Sequence, residues 1–244
     1  MRVEDPYRYV RLADGTEIGC RAVLIATGVT VKRLAAPGVE RLTGAGIYYG
    51  AALTEAANYR QQHVFVVGGA NSAGQGALFF SRYASQVSMV VRAASLATSM
   101  SQYLVNQIAA TPNIEVLTHT EVIETLGAAR LEALTLRHSQ TGQVQTLPAA
   151  ALFLFIGAAP HSSLVAGVVE RNGTGFILTG QDWLLDGERP PGWRLKRDPF
   201  LLETSVPGIF AAGDVRQGAV RRVASAVGEG AIAVSLVHQY LKTV

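Results

Sequence analysis

The chain is poor in the features that crosslink, anchor or steer a protein. One of its 244 residues is cysteine, Cys20, so no internal disulfide can form, and that usage fits a cytosolic (cytoplasmic) compartment. No apolar run approaches the roughly 18 residues that a membrane helix needs. The best, 149–156, reads as a buried strand. Met1 is followed by Arg2, Glu4 and Asp5 with no apolar stretch, so no secretion signal is expected. Net charge is only +3, and no basic cluster exceeds Arg221-Arg222 or Lys196-Arg197, which argues against nucleic acid as a partner. The five histidines (His63, His119, His138, His161, His238) have no metal-ligand spacing and read as structural or exposed. No Ser-His-Asp order is recognisable. One absence is local: between Glu55 and Glu115 there is no acidic residue, while Arg60, Arg82 and Arg92 fall inside that window. An acid-free lobe suits a polyanionic ligand, although a buried sheet would give the same pattern.

What is present is a packed chain, 49% hydrophobic and 16% charged, long enough for one or two domains. Residues 7–25 read as a hairpin, with strands over 7–12 and 18–25 and a turn at Ala13-Asp14-Gly15. Pro37-Gly38 and Gly44 mark residues 29–45 as a crossover. A β-α-β unit follows: a buried strand over 64–67, a helix over 71–84 and a strand over 87–91. Further elements are a helix over 100–109, a strand over 114–118, a hairpin of 131–138 with 143–147, and a strand over 152–156. Residues 158–203 are the least regular, with a loop at Arg189-Pro190-Pro191-Gly192. This order fits a dinucleotide fold with a β-meander crossover.

Gly68-Gly69-Ala70-Asn71-Ser72-Ala73-Gly74 lies between the strand and the helix of that unit. In such a turn the first glycine permits the bend, the next small residue admits the pyrophosphate, and the third lets helix and strand pack closely. The N–H groups that open the helix face the phosphates. The spacing here is G-x-A-x-x-A, and Ala70 brings a Cβ to the position where a second glycine is usual. Without a ligand the same turn is a tight packing bend. The end of the second strand chooses the nucleotide: an acid there holds the ribose 2′-hydroxyl of NAD, an arginine the 2′-phosphate of NADP. This chain has Arg92, with Ser95 nearby and no acid close, which favours NADPH; Ala93 and Ala97 add no further charge.

Residues 204–230 carry the second signal. A Val206-Pro207-Gly208 turn leads to a strand over 209–212, a Gly213-Asp214 step and a helix bearing Gly228 and Gly230. Asp214 thus stands at the carboxyl edge of a sheet, where open α/β sheets bind nucleotides. Together with Ala26-Thr27-Gly28, the loop at Gly68, Ile156-Gly157 and Gly213-Asp214-Val215, this segment makes nearly the whole chain resemble the thioredoxin-reductase-like pyridine nucleotide–disulfide oxidoreductases.

The resemblance implies an α/β fold in which a Rossmann-like NAD(P)-binding domain is inserted in a partial FAD-binding domain, a two-dinucleotide-binding-domain flavoprotein. The expected segments are 1–38 (FAD-binding, first part), 39–158 (NADPH-binding) and 159–244 (FAD-binding, last part). It implies FAD and NADPH as cofactors. Site residues expected to bind them are Gly68, Gly69, Ala70, Asn71, Ser72, Ala73 and Arg92 for NADPH, and Ala26, Thr27, Gly28, Gly213, Asp214, Arg221, Arg222 and Val223 for FAD. Asp214 is expected to hydrogen-bond the ribityl chain. The helix opened by Arg221-Arg222-Val223 is expected to point its N-terminus at the flavin pyrimidine edge, where a helix dipole and an arginine stabilise negative charge on the reduced ring. Without the family, Asp214 is a helix cap, and Gly228 and Gly230 are packing positions.

Two departures from the family pattern stand out. The strand, G-x-G-x-x-G turn and helix that hold the ADP part of FAD in the family are missing, so the chain reads as a truncated or split product, or as one whose partner supplies the missing half. The Cys-x-x-Cys pair is also missing: Gly50 and Leu53 occupy its positions in Tyr49-Gly50-Ala51-Ala52-Leu53. Two thiols are needed for a disulfide relay, so dithiol catalysis within this chain is excluded. Tyr48 and Tyr49 lie there instead and read equally as flavin-stacking or core residues; Trp183 and Trp193 read as ligand covers or packing. The leading expectation is hydride transfer from NADPH to FAD, with no catalytic side chain and an unknown electron acceptor (an external disulfide, a quinone, dioxygen or a redox protein). The alternatives are a non-catalytic NADPH-binding module, a fragment needing a partner for FAD, or an inert remnant. The resemblance also suggests a homodimer.

Overall fold

A computed structural model describes residues 1–50, 56–185, 187 and 189–244. In chain order the strands and helices begin with β1 (Arg2–Glu4), β2 (Tyr7–Arg11), β3 (Glu17–Cys20), β4 (Val23–Ile25) and β5 (Val29–Val31). Next come α1 (Val39–Leu42), β6 (Ile47–Tyr49), β7 (His63–Val67), α2 (Asn71–Phe80), β8 (Gln86–Val90), α3 (Gln102–Ala109) and β9 (Ile114–Leu117). Then follow β10 (Thr120–Leu126), β11 (Ala133–His138), β12 (Val144–Pro148) and β13 (Ala151–Leu154). The chain closes with β14 (Ala158–Pro160), α4 (Gly180–Leu185), β15 (Ile209–Ala211) and α5 (Val223–Leu241). They fall into two compact units, a first of Met1–Thr30 with Ala158–Val244 and a second of Val31–Gly157.

The second unit is built on a five-stranded sheet in the order β6-β13-β7-β8-β9, with every pairing parallel. Parallel strands are covered on both faces and so read as continuous apolar runs, as residues 64–67 of β7 do. Alternation divides that run between two cores. Val64 and Val66 face α2 and α3 and pack with Ala77, Phe80, Leu104 and Ile108. Phe65 and Val67 face the other side, with Val39, Leu42, Val122, Leu134 and Leu136. Phe80 stacks on Phe153 of β13 with ring centroids 3.8 Å apart. The antiparallel meander β10-β11-β12 supplies the connection to β13.

In the first unit β1, β2 and β3 form an antiparallel sheet, and β15 pairs in parallel with β4. Its core gathers Ile25, Val165, Val169, Ile177, Ile209 and Val215. Buried Ala233 and Tyr240 anchor the long α5. Gly208 (φ 76°) must be glycine, because a Cβ there would lie 2.6 Å from the Tyr240 ring.

Several expectations are corrected. The strand expected over 18–25 is two strands: β3 completes the hairpin with β2, and after Arg21-Ala22 the chain turns away to pair β4 with β15. The helix expected to reach Ala84 ends at Phe80, where the chain passes into turns. β10 was not expected; it begins after His119, which takes a positive φ of 51°. The irregular stretch 158–203 contains β14 and α4.

Candidate functional site

In the second unit the glycine loop joins the carboxyl end of β7 to the start of α2. Gly68 has φ 143°, and a Cβ there would lie 2.7 Å from the Phe155 carbonyl oxygen, so the bend requires glycine. Its N–H donates to the Val90 carbonyl at 3.1 Å, tying the loop to the end of β8. Gly69 is half-buried, with Val91 3.1 Å from where its Cβ would stand. Ala70 is the N-cap of α2 and is exposed, as are Asn71 and Ser72. Ala73 is fully buried against the sheet. The first N–H groups of a helix have no partner within it, so exposed residues there are free to meet an anion. Arg92, just past β8, is exposed and forms no ion pair among the described residues.

Two bonds that the sequence did not suggest fix the wall of this edge. Ser99 Oγ donates to the Gly69 carbonyl at 3.0 Å, and Asn71 Oδ1 accepts the Ser101 N–H at 2.8 Å. They hold the segment after Arg92 against the glycine loop. Met100 sits where a Cβ on Gly74 would be, 2.8 Å from its sulfur.

In the first unit the parallel register Ala211↔Ile25 brings two turns together at one sheet edge: Ala26-Thr27-Gly28 after β4 and Ala212-Gly213-Asp214 after β15. The Ala212 N–H donates to the Ile25 carbonyl at 3.0 Å. The first turn is held by His161. Its carbonyl accepts the Thr27 hydroxyl at 2.6 Å, its N–H donates to the Gly28 carbonyl at 3.0 Å, and its Nε2 meets the Thr30 hydroxyl at 2.7 Å. Sequence reading gave that histidine no such role. Gly213 (φ 73°) opens a single 3₁₀ turn that leaves Asp214 half-buried.

A cavity of about 470 Å³ opens at this edge, lined by Ala26, Gly28, Ala212, Gly213, Asp214, Arg221, Arg222 and Val223 among others. Arg222 is the N-cap of α5, so the helix begins at Val223, whose side chain is 83% exposed. The Arg221 guanidinium lies over the Phe176 ring at 5.1 Å. Gly28 and Gly230 also line the cavity, and no atom lies within 4 Å of where a Cβ on either would stand. The cradle therefore has open space, a carboxylate and a helix N-terminus on one side, a fit for the polyol and electron-rich ring edge of a flavin.

A family model described as pyridine nucleotide-disulphide oxidoreductase matches residues 2–230. The chain belongs to that family. It is 30% identical to a thioredoxin reductase of Peptoclostridium litorale, over 98% of this chain and 70% of that protein. With a thioredoxin reductase of Dictyostelium discoideum the identity is 29%, over 96% and 68%. Among solved structures, thioredoxin reductase from Streptococcus pyogenes MGAS5005 superimposes with a TM-score of 0.75 at 29% identity, covering 100% of this chain and 72% of that one. The protein is thus a thioredoxin-reductase-like oxidoreductase of α/β fold, and the family's cofactors are FAD and NADPH.

Relative to the family's dithiol chemistry, this member has only Cys20. Of the stretch that stands where the pair is expected, Ala51 to Leu53 lie outside the described residues. Tyr48 and Tyr49 are packing residues of the second unit: Tyr48 stacks on Phe153 at 5.5 Å, and the Tyr49 hydroxyl accepts the Leu34 N–H at 3.1 Å. Trp193 donates its indole N–H to the Arg197 carbonyl at 2.7 Å. The Trp183 indole N–H is buried without a partner among the described residues. Among the described residues no group of His, Cys, Asp and Glu could hold a metal, and no helix is long and apolar enough to cross a membrane.

Proposed function

We propose that the protein passes hydride from NADPH to FAD and hands the electrons to an acceptor outside the chain: an external disulfide, a quinone, dioxygen or a redox protein. The observation that carries this reading is the pair of glycine-bearing turns at the carboxyl ends of parallel strands, one in each unit, at Gly68 and at Gly213. The loop from Gly68 to Ala73 would hold the NADPH pyrophosphate on the open end of α2, with Gly69 and Ala70 as the small residues beside it. Arg92 would take the 2′-phosphate. In the first unit Asp214 would accept hydrogen bonds from the ribityl hydroxyls, and the Ala26-Thr27-Gly28 turn would line the same cavity through Ala26 and Gly28. Val223, Arg222 and Arg221 would bring the start of α5 to the pyrimidine edge. When bound, FAD supplies the hydride-accepting ring. No side chain needs to act as acid or base; the residues orient the cofactors and stabilise charge. Following the family, the expected setting is the cytoplasm and the expected assembly a homodimer.

A second reading is favoured by the exposed apolar side chains of α5, Val223 and Val227 at 83% and 67%, beside a parallel sheet of only two strands. In this reading the chain holds NADPH alone and takes FAD only with a segment or partner that brings the turn for the ADP half. The visible absorption spectrum of the purified chain, before and after anaerobic NADPH, separates the two. A flavin band that bleaches supports the oxidoreductase. Folded protein that takes up no flavin from excess FAD, yet binds NADPH, supports the module.

A further inference from the structure

Glu229, on α5, reaches back to the turn after β15. Its Oε2 accepts the Gly213 N–H at 2.7 Å, and its two oxygens take the Arg216 guanidinium, Oε1 from Nη2 at 2.5 Å and Oε2 from Nε at 3.2 Å. The side chains are 6% (Arg216) and 16% (Glu229) exposed. Arg216 is placed in turn by a parallel bridge to Ile177 and by its Nη1 donating to the Gln217 carbonyl at 3.0 Å. Gly213 lies directly on the helix, with the Ala226 Cβ 3.5 Å from where its own would be. Burial pushes the Glu229 carboxyl up, but the Arg216 guanidinium and the Gly213 N–H outweigh it and hold it below the ordinary range, so it is ionised at neutral pH.

Removing a carboxylate and a guanidinium from water is expensive, and a well-packed apolar pair of similar volume often stabilises a fold as well or better. What an apolar pair cannot do is accept the Gly213 N–H, which belongs to the residue preceding Asp214. We propose that Glu229 is a positioning residue for the flavin: it pins the Gly213-Asp214 turn to α5, so that Asp214 and the start of the helix face the same cavity. The inference rests on the reading of the first unit as the FAD lobe. It assigns the work to one hydrogen bond, with Arg216 serving to keep its acceptor in place.

The test compares two charge-neutral double variants of the full chain, Arg216→Met with Glu229→Gln and Arg216→Met with Glu229→Leu. Neither leaves an orphaned charge, and only the first keeps an acceptor for Gly213. FAD affinity is read by flavin fluorescence titration, the Gly213 amide by hydrogen exchange, and stability by melting. The glutamine variant is expected to keep FAD binding and Gly213 protection close to wild type. The leucine variant is expected to lose protection at Gly213 and to bind FAD about tenfold more weakly or worse, the scale of a lost charged hydrogen bond, while melting within a few degrees of the other. Equal FAD binding by the two variants, with normal wild-type binding, overturns the positioning role alone. A freely exchanging Gly213 amide in the wild type does the same. A wild type that protects Gly213 but binds no FAD overturns the role for this chain acting alone and favours the reading in which FAD is taken up only with a partner.

Discussion

Arg92 and His63 show how differently single residues carry information. Arg92 draws attention in the sequence because it stands at the end of the second strand of a β-α-β unit, where an arginine either meets a 2′-phosphate or is simply solvated, and it stands exposed there without an ion pair among the described residues. Arg92→Ala should raise the NADPH dissociation constant by about ten- to a hundredfold, as for a lost charged hydrogen bond of about 1.5–3 kcal/mol, and leave NADH binding unchanged; titration calorimetry with both nucleotides checks this. His63, which reads in the sequence as structural or exposed, is a half-buried polar residue in an apolar sheet: its Nε2 meets the Ser88 hydroxyl at 2.8 Å, and its ring stacks on Phe65. Burial depresses its pKa, and the weaker pull of Glu115 does not restore it. The unfolded chain therefore binds the proton more readily. The stability due to neutral His63 is complete above the ordinary histidine value of about 6.5 and is lost as pH falls through the depressed value. Melting temperatures measured down a pH series should fall more steeply for wild type than for His63→Gln. Glu229 was invisible in the sequence for another reason: its partners, Gly213 and Arg216, meet it only because α5 doubles back on the turn.

At the scale of elements, the sequence was most readable where one strand or helix buries its own periodic face. β7, α2 and β8 follow from continuous apolar runs around a glycine loop. It was least readable where a partner lies far along the chain. Nothing local in Val23–Ile25 says that this strand belongs with Ile209–Ala211, so 18–25 reads as one strand of the hairpin. The end of the 158–203 stretch, which reads as irregular, and the turn after it are organised by a fully buried Glu203 carboxylate. It accepts from the Arg197 Nη1 and Nη2 at 2.6 and 2.9 Å and from the Phe200 and Gly208 N–H groups at 3.0 and 2.9 Å. Glu203→Ala would leave Arg197 without its counter-charge and two N–H groups unpaired, and should cost about 3–5 kcal/mol, measurable as a lower urea midpoint at constant slope. β15 and the turn at Gly213 depend on this loop, so FAD affinity should fall in the same variant.

For the whole molecule, the division into two units sets what each cofactor can stabilise. A ligand that binds only the native form adds stability to the region it contacts. NADPH should therefore slow hydrogen exchange at the start of α2 and the end of β8 while leaving β15 and α5 unaffected, and FAD should do the reverse. Mass-spectrometric exchange on the full chain with each cofactor in turn checks both halves of this expectation.

The second unit begins and ends at one place. The Lys32 N–H donates to the Gly157 carbonyl at 3.0 Å, so the two ends of Val31–Gly157 are one hydrogen bond apart. Within the first unit, His161 likewise ties Gly28 and Thr30 to the segment that follows Ala158. A segment whose ends meet can be lifted out and its host resealed with little loop-closure entropy, which makes it a cassette in the genetic sense. Residues 31–157 should fold alone and bind NADPH, with a single cooperative melt. By the same geometry, a different nucleotide-binding cassette with adjoining ends could be spliced between Thr30 and Ala158, so that a lineage could change its electron donor while leaving its flavin lobe untouched.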